Sequence, residues 1–286
     1  MTTKTNIDIL LNTIALDPNR WTEDKIPYFK LIDLLPEIAK HRFHDLEIWQ
    51  YHVDRLTQGE LDALKSKCNE LGMSTPVVGI YPKIHLDGKE GRDQMLLVER
   101  LMDIASFLGA DTVKMFVGSV ASGKLDAEEN GRALKFLERM TELAAERALR
   151  ITGETHANTL FDTIESTLRT LDRLDPDRFG VCFQPYDASL TGAKGAFLAM
   201  RDRVWHLHYQ GRKGREICLL EEADLDYASY TRFVAESRFS GYLCIEFVKD
   251  CVVPSPEELD VEKVLANAER DREFVRKHLE RFGSFA

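Results

Sequence analysis

Residues 150–156 read RITGETH, a short apolar stretch that ends in acidic and imidazole side chains. Two later stretches have the same form, residues 204–208 (VWHLH) and residues 242–246 (YLCIE). Short apolar runs of this length are typical of buried strands. If the three strands run parallel in one sheet, their carboxyl ends lie at one edge, where side chains distant in sequence can meet around one metal ion. The side chains in question are Glu154, His208 and Glu246.

The same pattern continues over the whole chain. Short apolar runs alternate with longer stretches of helical periodicity, as expected of repeated βα units. Strands are predicted at residues 7–14, 45–49, 74–80, 112–116, 150–154, 179–183, 204–208 and 242–247, and helices at residues 24–41, 58–71, 91–108, 127–148, 160–174, 193–201, 225–237 and 257–281. Eight such pairs without a Pro-, Gly- or Ser-rich linker predict a single (β/α)8 TIM barrel, one α/β domain over residues 1–286.

The composition excludes some partners and favours others. The chain has 286 residues, with 38 Lys and Arg against 48 Asp and Glu, a formal net charge of −10. Such a charge argues against binding nucleic acid or an anionic membrane surface by bulk electrostatics and favours a small polar substrate. No window approaches the ~18 apolar residues of a membrane helix, and the amino terminus lacks the pattern of a signal peptide, so we expect a cytoplasmic protein. The five cysteines form no CxxC pair, and we expect reduced, buried thiols.

Pairs of functional groups lie two residues apart in the predicted strands. Side chains with this spacing share one face of a strand, about 6.6 Å apart. Glu154 and His156 therefore point to the same side, as do His206 and His208. One polar residue in a strand has a structural hydrogen-bonding role in many proteins, but recurrence at three strand ends favours a functional site.

Four stretches of the chain resemble the xylose isomerase-like barrel superfamily of sugar isomerases and epimerases. This superfamily also contains inosose dehydratases, 3-dehydroshikimate dehydratases and endonuclease IV. The most specific stretch matches the pattern E-T-H-x-N-T-L-x-D-T and is most similar to the 3-dehydroshikimate dehydratases, as is the Glu-Ile-Trp of the second strand. The four stretches are GETHANTLFDT (153–163), WHLHYQG (205–211), CIEF (244–247) and DLEIWQYH (45–52).

The resemblance implies one divalent metal ion as the cofactor. Members of the superfamily hold Mn²⁺, Mg²⁺, Co²⁺ or Zn²⁺ with a Glu, an Asp, a His and a second Glu, and we expect Mn²⁺ or Mg²⁺ here. Matched residue by residue, the first Glu is Glu154, the His is His208 and the last Glu is Glu246. Relatives often form dimers or tetramers, which implies a homo-oligomer by analogy.

The remaining metal ligand departs from the family pattern. Gln184 stands where relatives have the Asp, so the charge of the ligand set falls and metal affinity should weaken. Asp187 stands where relatives often have a His. We expect Gln184 to be the ligand and Asp187 to contact the substrate; alternatively Asp187 or water completes the metal shell. Gln210 also departs from the pattern, because the dehydratases have a Lys there.

These ligands imply proton-transfer chemistry. A divalent ion bound by a carbonyl and its neighbouring hydroxyl stabilises the enediolate that forms when the adjacent carbon loses a proton. In the epimerases, the two metal-bound glutamates exchange protons with opposite faces of the substrate, which implies acid and base roles for Glu154 and Glu246. His156 is a candidate for polarising the oxygen or moving a proton, or it orients Glu154.

Further residues are candidates for substrate binding. Glu47, Trp49 and His52 accompany the second strand, where an aromatic face beside a carboxylate suits a polyol, although Trp49 can equally pack under a loop. Lys114 interrupts the apolar run TVKMFV; it either projects into the barrel or pairs with an inward carboxylate.

A basic stretch follows the seventh predicted strand, near the place where barrels often bind phosphate. Arg212 and Arg215 of this stretch are predicted to bind a substrate phosphate or carboxylate. A solvated charged loop is the alternative. The side chains at both positions carry the guanidinium that such an anion site requires.

The sequence therefore predicts a metal-dependent isomerase or epimerase of a sugar or sugar-derived acid. The alternative is a lyase of the dehydroshikimate or inosose dehydratase type, because the same enediolate can eject a β-hydroxyl. Cleavage of abasic DNA, as in endonuclease IV, conflicts with the negative net charge of the chain. The additional His and Asp ligands that a three-zinc cluster needs are also not found in the sequence. A metal-free binding protein is a fourth possibility that Gln184 raises.

Overall fold

The computed structural model of the protein describes residues 7–280. Within that range, strands and helices alternate along the chain. The strands are β1 (Ile7–Asn12), β2 (Asp45–Trp49), β3 (Ser74–Ile80), β4 (Thr112–Phe116), β5 (Arg150–Glu154), β6 (Phe179–Phe183), β7 (Val204–Lys213), β8 (Glu216–Cys218) and β9 (Gly241–Phe247). The helices are α1 (Leu31–Lys40), α2 (Gln58–Glu70), α3 (Gly88–Leu108), α4 (Ala127–Glu146), α5 (Ile164–Leu171), α6 (Leu190–Met200), α7 (Tyr227–Glu236) and α8 (Val261–Leu279).

The strands form one sheet in the order β6-β5-β4-β3-β2-β1-β9-β7-β8, and β6 also pairs with β7. That additional pairing joins the ends of the row of long strands, as a closed barrel requires. The pairs β1–β2, β1–β9, β3–β4, β4–β5 and β5–β6 are parallel. Short β8 runs antiparallel to β7. The carboxyl ends of β1, β2 and β9 therefore lie at one edge, and so do those of β3, β4, β5 and β6.

The contacts of the chain divide it into two compact units. Within the described residues, the first unit comprises 7–75, 187–194 and 207–280, and the second comprises 76–186 and 195–206. The first unit thus holds β1, β2, β9 and most of β7, whereas the second holds β4, β5, β6 and most of β3. The prediction that residues 1–286 act as one domain stays a prediction.

Each unit has a core of fully buried strand residues. In the first unit Leu10, Leu11 and Ile245 have 0% of their surface exposed, and in the second unit Val113 and Ile151 have the same value. Strands buried on both faces consist of continuous apolar runs, which explains why their positions were predictable. All five cysteines are buried, and none of them forms a disulfide bond, as predicted.

Helix caps explain why several predicted helices begin where they do. Asp126 accepts hydrogen bonds from the backbone N–H groups of residues 128 and 129 at the start of α4, and Thr57 does the same for residue 60 at the start of α2. Both helices have a capping box, which satisfies backbone donors at a helix start. No helix among residues 7–280 combines the length and apolar composition that a membrane crossing requires.

The structure corrects several predicted boundaries. The first helix was predicted from residue 24 but begins at Leu31, because Lys25 has a left-handed φ of 47° and Pro27 disfavours helical geometry in the residue before it. The last helix was predicted for residues 257–281 but begins at Val261; residue 281 lies outside the described residues. The fifth helix is also shorter than predicted and covers Ile164–Leu171.

The largest difference concerns the seventh strand. It was predicted to end at His208, but β7 continues to Lys213 and forms a hairpin with β8. The turn lies at Gly214, whose φ of 59° favours glycine. The basic stretch predicted as a loop therefore lies on a regular hairpin, which gives its side chains fixed directions.

Candidate active site

A chain of buried polar contacts joins three strands of the first unit. The register of β1 and β2 places Asn12 opposite Glu47. Asn12 Nδ2 donates to Glu47 Oε1 at 2.9 Å, and Glu47 Oε2 lies 2.9 Å from His208 Nε2 on β7. The side chains of Glu47 and His208 are fully buried. Glu47, predicted to bind substrate, thus contacts the predicted metal ligand His208.

The other nitrogen of His208 faces Glu246 on β9. His208 Nδ1 lies 3.3 Å from Glu246 Oε1. Two ligand atoms bound to one metal ion lie about 3.0–3.4 Å apart, so this spacing suits a shared ion. The second carboxylate oxygen of Glu246 is buried and has no hydrogen-bond partner among the described residues. A buried carboxylate oxygen without a donor is costly unless a cation binds it, so Glu246 fits a metal ligand.

A group able to hold a metal ion surrounds His208. Glu47, His208 and Cys244 of the first unit each offer a ligand atom, and these atoms lie within 4.8 Å of one another. All three residues are buried. His206 and His208 lie two apart on β7, as predicted, and the thiol and imidazole groups add softer ligands than the carboxylates. The structure therefore has a candidate metal centre at the ends of β2, β7 and β9.

In the second unit, Glu154 forms a buried ion pair. Lys114 Nζ on β4 lies 2.8 Å from Glu154 Oε2 on β5, with 0% and 1% of the two side chains exposed. The ammonium also lies 4.9 Å from the ring centre of Tyr81 and 5.2 Å from that of Phe116. Of the two predicted alternatives for Lys114, pairing with an inward carboxylate is the one that the structure contains.

The motif at residues 154–163 builds a closed turn at the end of β5. A Cβ atom on Gly153 would come within 2.6 Å of the Phe161 ring, so only glycine lets this ring pack against the strand. Thr159 Oγ1 donates to the backbone oxygen of His156, whose own N–H donates to that of Phe161. Thr163 then caps α5. Much of the motif thus shapes the backbone that follows Glu154.

His156 lies beside this turn and stacks on an aromatic ring. Its ring centre is 4.5 Å from that of Phe116, with 25° between the planes. His156 Nδ1 lies 2.7 Å from the carbonyl oxygen of Ala157, which can only accept, so Nδ1 donates and Nε2 keeps its lone pair. This half-buried imidazole can exchange a proton through Nε2.

Thr155 fixes the backbone at Gln184. Its hydroxyl donates to the carbonyl oxygen of Gln184 at 2.7 Å and accepts from the N–H of Gln184 at 2.8 Å. Gln184 is half-buried directly after β6. Asp187, the alternative ligand, is exposed and accepts from the N–H of Ser189 at 2.7 Å. One oxygen of Asp187 is thus engaged in a turn contact, and neither role predicted for Asp187 is tested by it.

Trp49 and His52 lie inside the first unit rather than on an open surface. Trp49 is 1% exposed and its ring packs edge-on against His52, with centres 5.3 Å apart. His52 Nδ1 lies 3.0 Å from Thr13 Oγ1, which accepts from the Trp49 N–H, and His52 Nε2 lies 3.5 Å from Asp17. This arrangement corresponds to the packing alternative for Trp49; substrate binding by either residue stays a prediction.

Gln210 organises the start of the basic hairpin. Its side-chain oxygen accepts from Arg212 Nε at 3.0 Å, and its backbone oxygen accepts from the Tyr227 hydroxyl at 3.0 Å. Burial raises the pKa of the Tyr227 phenol well above its ordinary value, so this group remains a donor. Gln210 thus holds the Arg212 guanidinium in one direction.

The predicted anion-binding residues line one cavity of the first unit. A cavity of about 520 Å³ is lined by Trp21, by the cations Arg212, Arg215 and Lys249, and by the carboxylates Glu216 and Asp250. Lys249 also pairs with Glu222 at 3.0 Å. The Trp21 side chain is 57% exposed, which is unusual for so large an apolar ring. The cavity thus combines an aromatic face with cationic groups.

Several contributing residues were missed in the sequence. Asn12 and Thr13 lie at the end of β1, Asp17 lies four residues beyond Thr13, and Thr155 lies between two predicted site residues. The available signals were two polar residues inside the first predicted strand, Asn12 and Thr13, and the carboxylate of Asp17 shortly after it. Their partners are distant in sequence, so these signals did not identify their contacts.

Comparison with known proteins identifies a family. The sequence profile of a family described as xylose isomerase-like TIM barrel matches residues 36–278. This match confirms the predicted fold class, a (β/α)8 barrel. It extends from within α1 to within α8.

Individual relatives include a dehydratase and an epimerase. A 3-dehydroshikimate dehydratase of Bacillus anthracis is 23% identical over 206 residues, 69% of this chain and 72% of the relative. The crystal structure of a probable 3-DHS dehydratase of Bacillus anthracis involved in petrobactin synthesis has a TM-score of 0.74 and 16% identity, covering 95% of this chain and 99% of that one. The D-psicose 3-epimerase of Clostridium cellulolyticum, with D-tagatose, has a TM-score of 0.75 and 14% identity, covering 97% and 99%.

Proposed function

The chain belongs to the xylose isomerase-like TIM barrel family, and the relatives named above are enzymes, so we propose that it is a divalent-metal-dependent isomerase or epimerase of a sugar or sugar-derived acid. The observation that carries this proposal is the buried contact between His208 Nδ1 and Glu246 Oε1 at 3.3 Å. Both side chains are buried, and a cation bound between them would offset the free-energy cost of burying the carboxylate.

Glu154, His208 and Glu246 are proposed as the metal ligands, with Gln184 as a neutral fourth ligand. Glu154 is proposed from the family resemblance, and support for the other two comes from the first unit, where His208 Nδ1 lies 3.3 Å from Glu246 Oε1. Two carboxylates and an imidazole suit Mn²⁺, Mg²⁺, Co²⁺ or Zn²⁺. When bound, the ion would act as a Lewis acid on the substrate carbonyl.

Lys114 lowers the negative charge of the proposed metal site. Its ammonium lies 2.8 Å from Glu154 Oε2, so one ligand already has a positive partner. With a neutral Gln184, the local charge of Glu154, Glu246 and Lys114 is −1. We therefore propose a loosely held ion. Lys114 also supplies a permanent cation close to the place where a substrate oxygen gains negative charge.

The proposed chemistry is proton transfer at the carbon next to a carbonyl. Glu246, as the ionised base, takes the proton from one face and an enediolate forms. Glu154, in its protonated form, returns a proton to the opposite face or to the neighbouring carbon, so the two carboxyl groups exchange protonation states in each turnover. His156 is proposed to move a proton through Nε2, since its Nδ1 is held by the carbonyl oxygen of Ala157. In this scheme no oxidant is consumed and each proton removed is replaced.

The substrate is proposed to carry an anionic group that binds in the cavity beside β7 and β9. Arg212 and Arg215 provide guanidinium groups, and Trp21 provides an aromatic face for a ring or a sugar C–H face. Glu47, Trp49, His52 and Asp187 support the site or contact the substrate from neighbouring strand ends. The partner is a small molecule.

A lyase is the second candidate. It is favoured by the 23% identity to a 3-dehydroshikimate dehydratase over 69% of this chain. In a lyase, the same first proton transfer is followed by loss of a β-hydroxyl instead of reprotonation. The proton acceptor would again be Glu246, and the departing hydroxyl would take a proton from His156 or Glu154.

One experiment separates the candidates. The purified protein is incubated with Mn²⁺ in D₂O, once with a panel of ketoses and once with 3-dehydroshikimate. Deuterium uptake next to the ketose carbonyl, absent in a Glu246→Gln control, supports the isomerase. New ultraviolet absorbance of a conjugated product supports the lyase. Neither signal, with no metal found by elemental analysis, would leave a metal-free binding protein.

Two further expectations accompany the proposal. A cytoplasmic location is consistent with the finding that no helix of the described residues can cross a membrane, and it stays a prediction. A homo-oligomer also stays a prediction, because it follows from the family resemblance alone. Size-exclusion chromatography with light scattering measures the latter directly.

A further inference from the structure

We propose that Glu47 is a positioning residue that holds the proton of His208 on Nε2 and thereby presents Nδ1 to the metal ion. This inference rests on the proposed metal site and adds the residue that selects its histidine tautomer. Neutral imidazole carries one proton on either nitrogen, and only the nitrogen without the proton can bind a metal. The selection of that nitrogen is thus a requirement for a working site.

Asn12 defines the direction of the contacts around Glu47. Its side-chain oxygen accepts from the backbone N–H of Ile14 at 3.0 Å, so its amide nitrogen faces Glu47 Oε1 at 2.9 Å. The orientation of this amide is therefore fixed by a backbone donor. The parallel register of β1 and β2, which places Asn12 opposite Glu47, keeps the pair in place.

Glu47 in turn determines which ring nitrogen of His208 carries the proton. An ionised carboxylate can only accept hydrogen bonds, so the 2.9 Å contact between Glu47 Oε2 and His208 Nε2 requires the proton on Nε2. The lone pair of Nδ1 then points toward Glu246 Oε1 at 3.3 Å. In many metal sites a carboxylate accepts a hydrogen bond from one nitrogen of a histidine and so orients the other nitrogen toward the metal.

This arrangement distinguishes Glu47 from a ligand. Its two oxygens face Asn12 and His208, one each, whereas the second oxygen of Glu246 is buried without a hydrogen-bond donor among the described residues. Both oxygens of Glu47 are thus engaged by protein donors, whereas the second oxygen of Glu246 is available to an ion. Glu47 therefore acts through His208.

The substitution Glu47→Gln tests the inference because an amide cannot accept on both sides. If the new amide nitrogen faces Asn12, two donors meet; if it faces His208, the imidazole must move its proton to Nδ1 and loses its ligand atom. We expect the Kd for Mn²⁺, measured by electron paramagnetic resonance of free Mn²⁺, to rise about 10- to 100-fold.

The double substitution Asn12→Asp with Glu47→Gln reverses the polarity of the first contact. The new carboxylate at position 12 still accepts from the Ile14 N–H and now also accepts from the amide at position 47, whose oxygen again faces His208. We expect Mn²⁺ affinity to return to within about threefold of wild type. An equal loss in the folded single and double variants, or no loss in the single variant, would overturn the inference.

Metal stoichiometry separates positioning from ligation. We expect wild type and Glu47→Gln to bind the same number of ions at saturating Mn²⁺. A decrease by one ion in the variant would overturn the inference and make Glu47 a ligand together with His208 and Cys244.

A measurement on the wild-type protein needs no variant to fold. Nitrogen-15 NMR of the metal-free protein should show a proton on His208 Nε2, and of the Zn²⁺-loaded protein a metal on Nδ1, with His208→Asn used for assignment. A proton on Nδ1 alone, or a metal on Nε2, overturns the inference. If Zn²⁺ does not bind while Nε2 carries the proton, the metal-dependent function fails and the tautomer assignment stands.

Discussion

Replacement of Lys114 by Met tests the charge balance of the site most directly. The ammonium lies 2.8 Å from Glu154 Oε2, and both side chains are buried. Loss of one partner of a buried ion pair costs about 3–5 kcal/mol, because the remaining charge is left unpaired. At about 2–4 °C per kcal/mol for a large domain, the Tm of the metal-free variant should fall by about 6–20 °C.

Mn²⁺ should then restore much of this loss, since the ion replaces the positive charge beside Glu154. Differential scanning fluorimetry with and without Mn²⁺ measures both effects. Lys89→Met is the matched control: Lys89 lies 2.6 Å from Asp93, but the side chains are 82% and 51% exposed, so its Tm should stay close to that of wild type. A Lys114→Met protein that matches the control, or an equal Mn²⁺ shift in all three proteins, would refute the reasoning.

Four other outcomes are expected. Glu246→Gln should lower kcat about 10²- to 10⁴-fold with little change in KM, because the amide cannot accept a proton; steady-state kinetics measure this. Arg215→Ala should raise KM about tenfold or more for an anionic substrate and less for a neutral sugar, and equal effects would remove Arg215 from the anion site. Gln184→Asp should tighten Mn²⁺ binding, and elemental analysis of Gln184→Ala and Asp187→Ala decides which residue is the ligand. Burial raises the pKa of Asp271 from 3.8 to about 7, so the folded protein keeps a proton that the unfolded chain releases, and stability falls as the pH rises between these values. Asp271→Asn should therefore raise the Tm at about pH 8 and have little effect near pH 4, whereas equal shifts at both values would contradict this pKa.

Most of the barrel could be predicted because its strands are buried on both faces. Phe179–Phe183 is buried throughout, and such a continuous apolar run between polar stretches is visible in a single sequence. The end of β7 was missed because Gln210 and Arg212 are polar. Pairing with β8 extends the strand there, and that pairing depends on a turn two residues later.

The candidate site was predicted in its residue types but not in its contacts. Glu246 was named from its place at a strand end, and its contact with His208 could be anticipated only as a consequence of parallel strands. Asn12 was missed because its contact with Glu47 spans 35 residues, and that between Glu47 and His208 spans 161. Such contacts depend on strand register and rotamer, which local sequence does not encode.

The hydroxyl of Thr155 has a consequence for how this site can change over evolutionary time. Because it binds both the N–H and the C=O of residue 184, the main chain there is anchored without help from the side chain of that residue. The side chain at position 184 can therefore change between an amide and a carboxylate by a single substitution, while both backbone hydrogen bonds to Thr155 remain. If residue 184 binds the proposed metal ion, such an exchange would change the charge of the ligand set while the backbone stays the same.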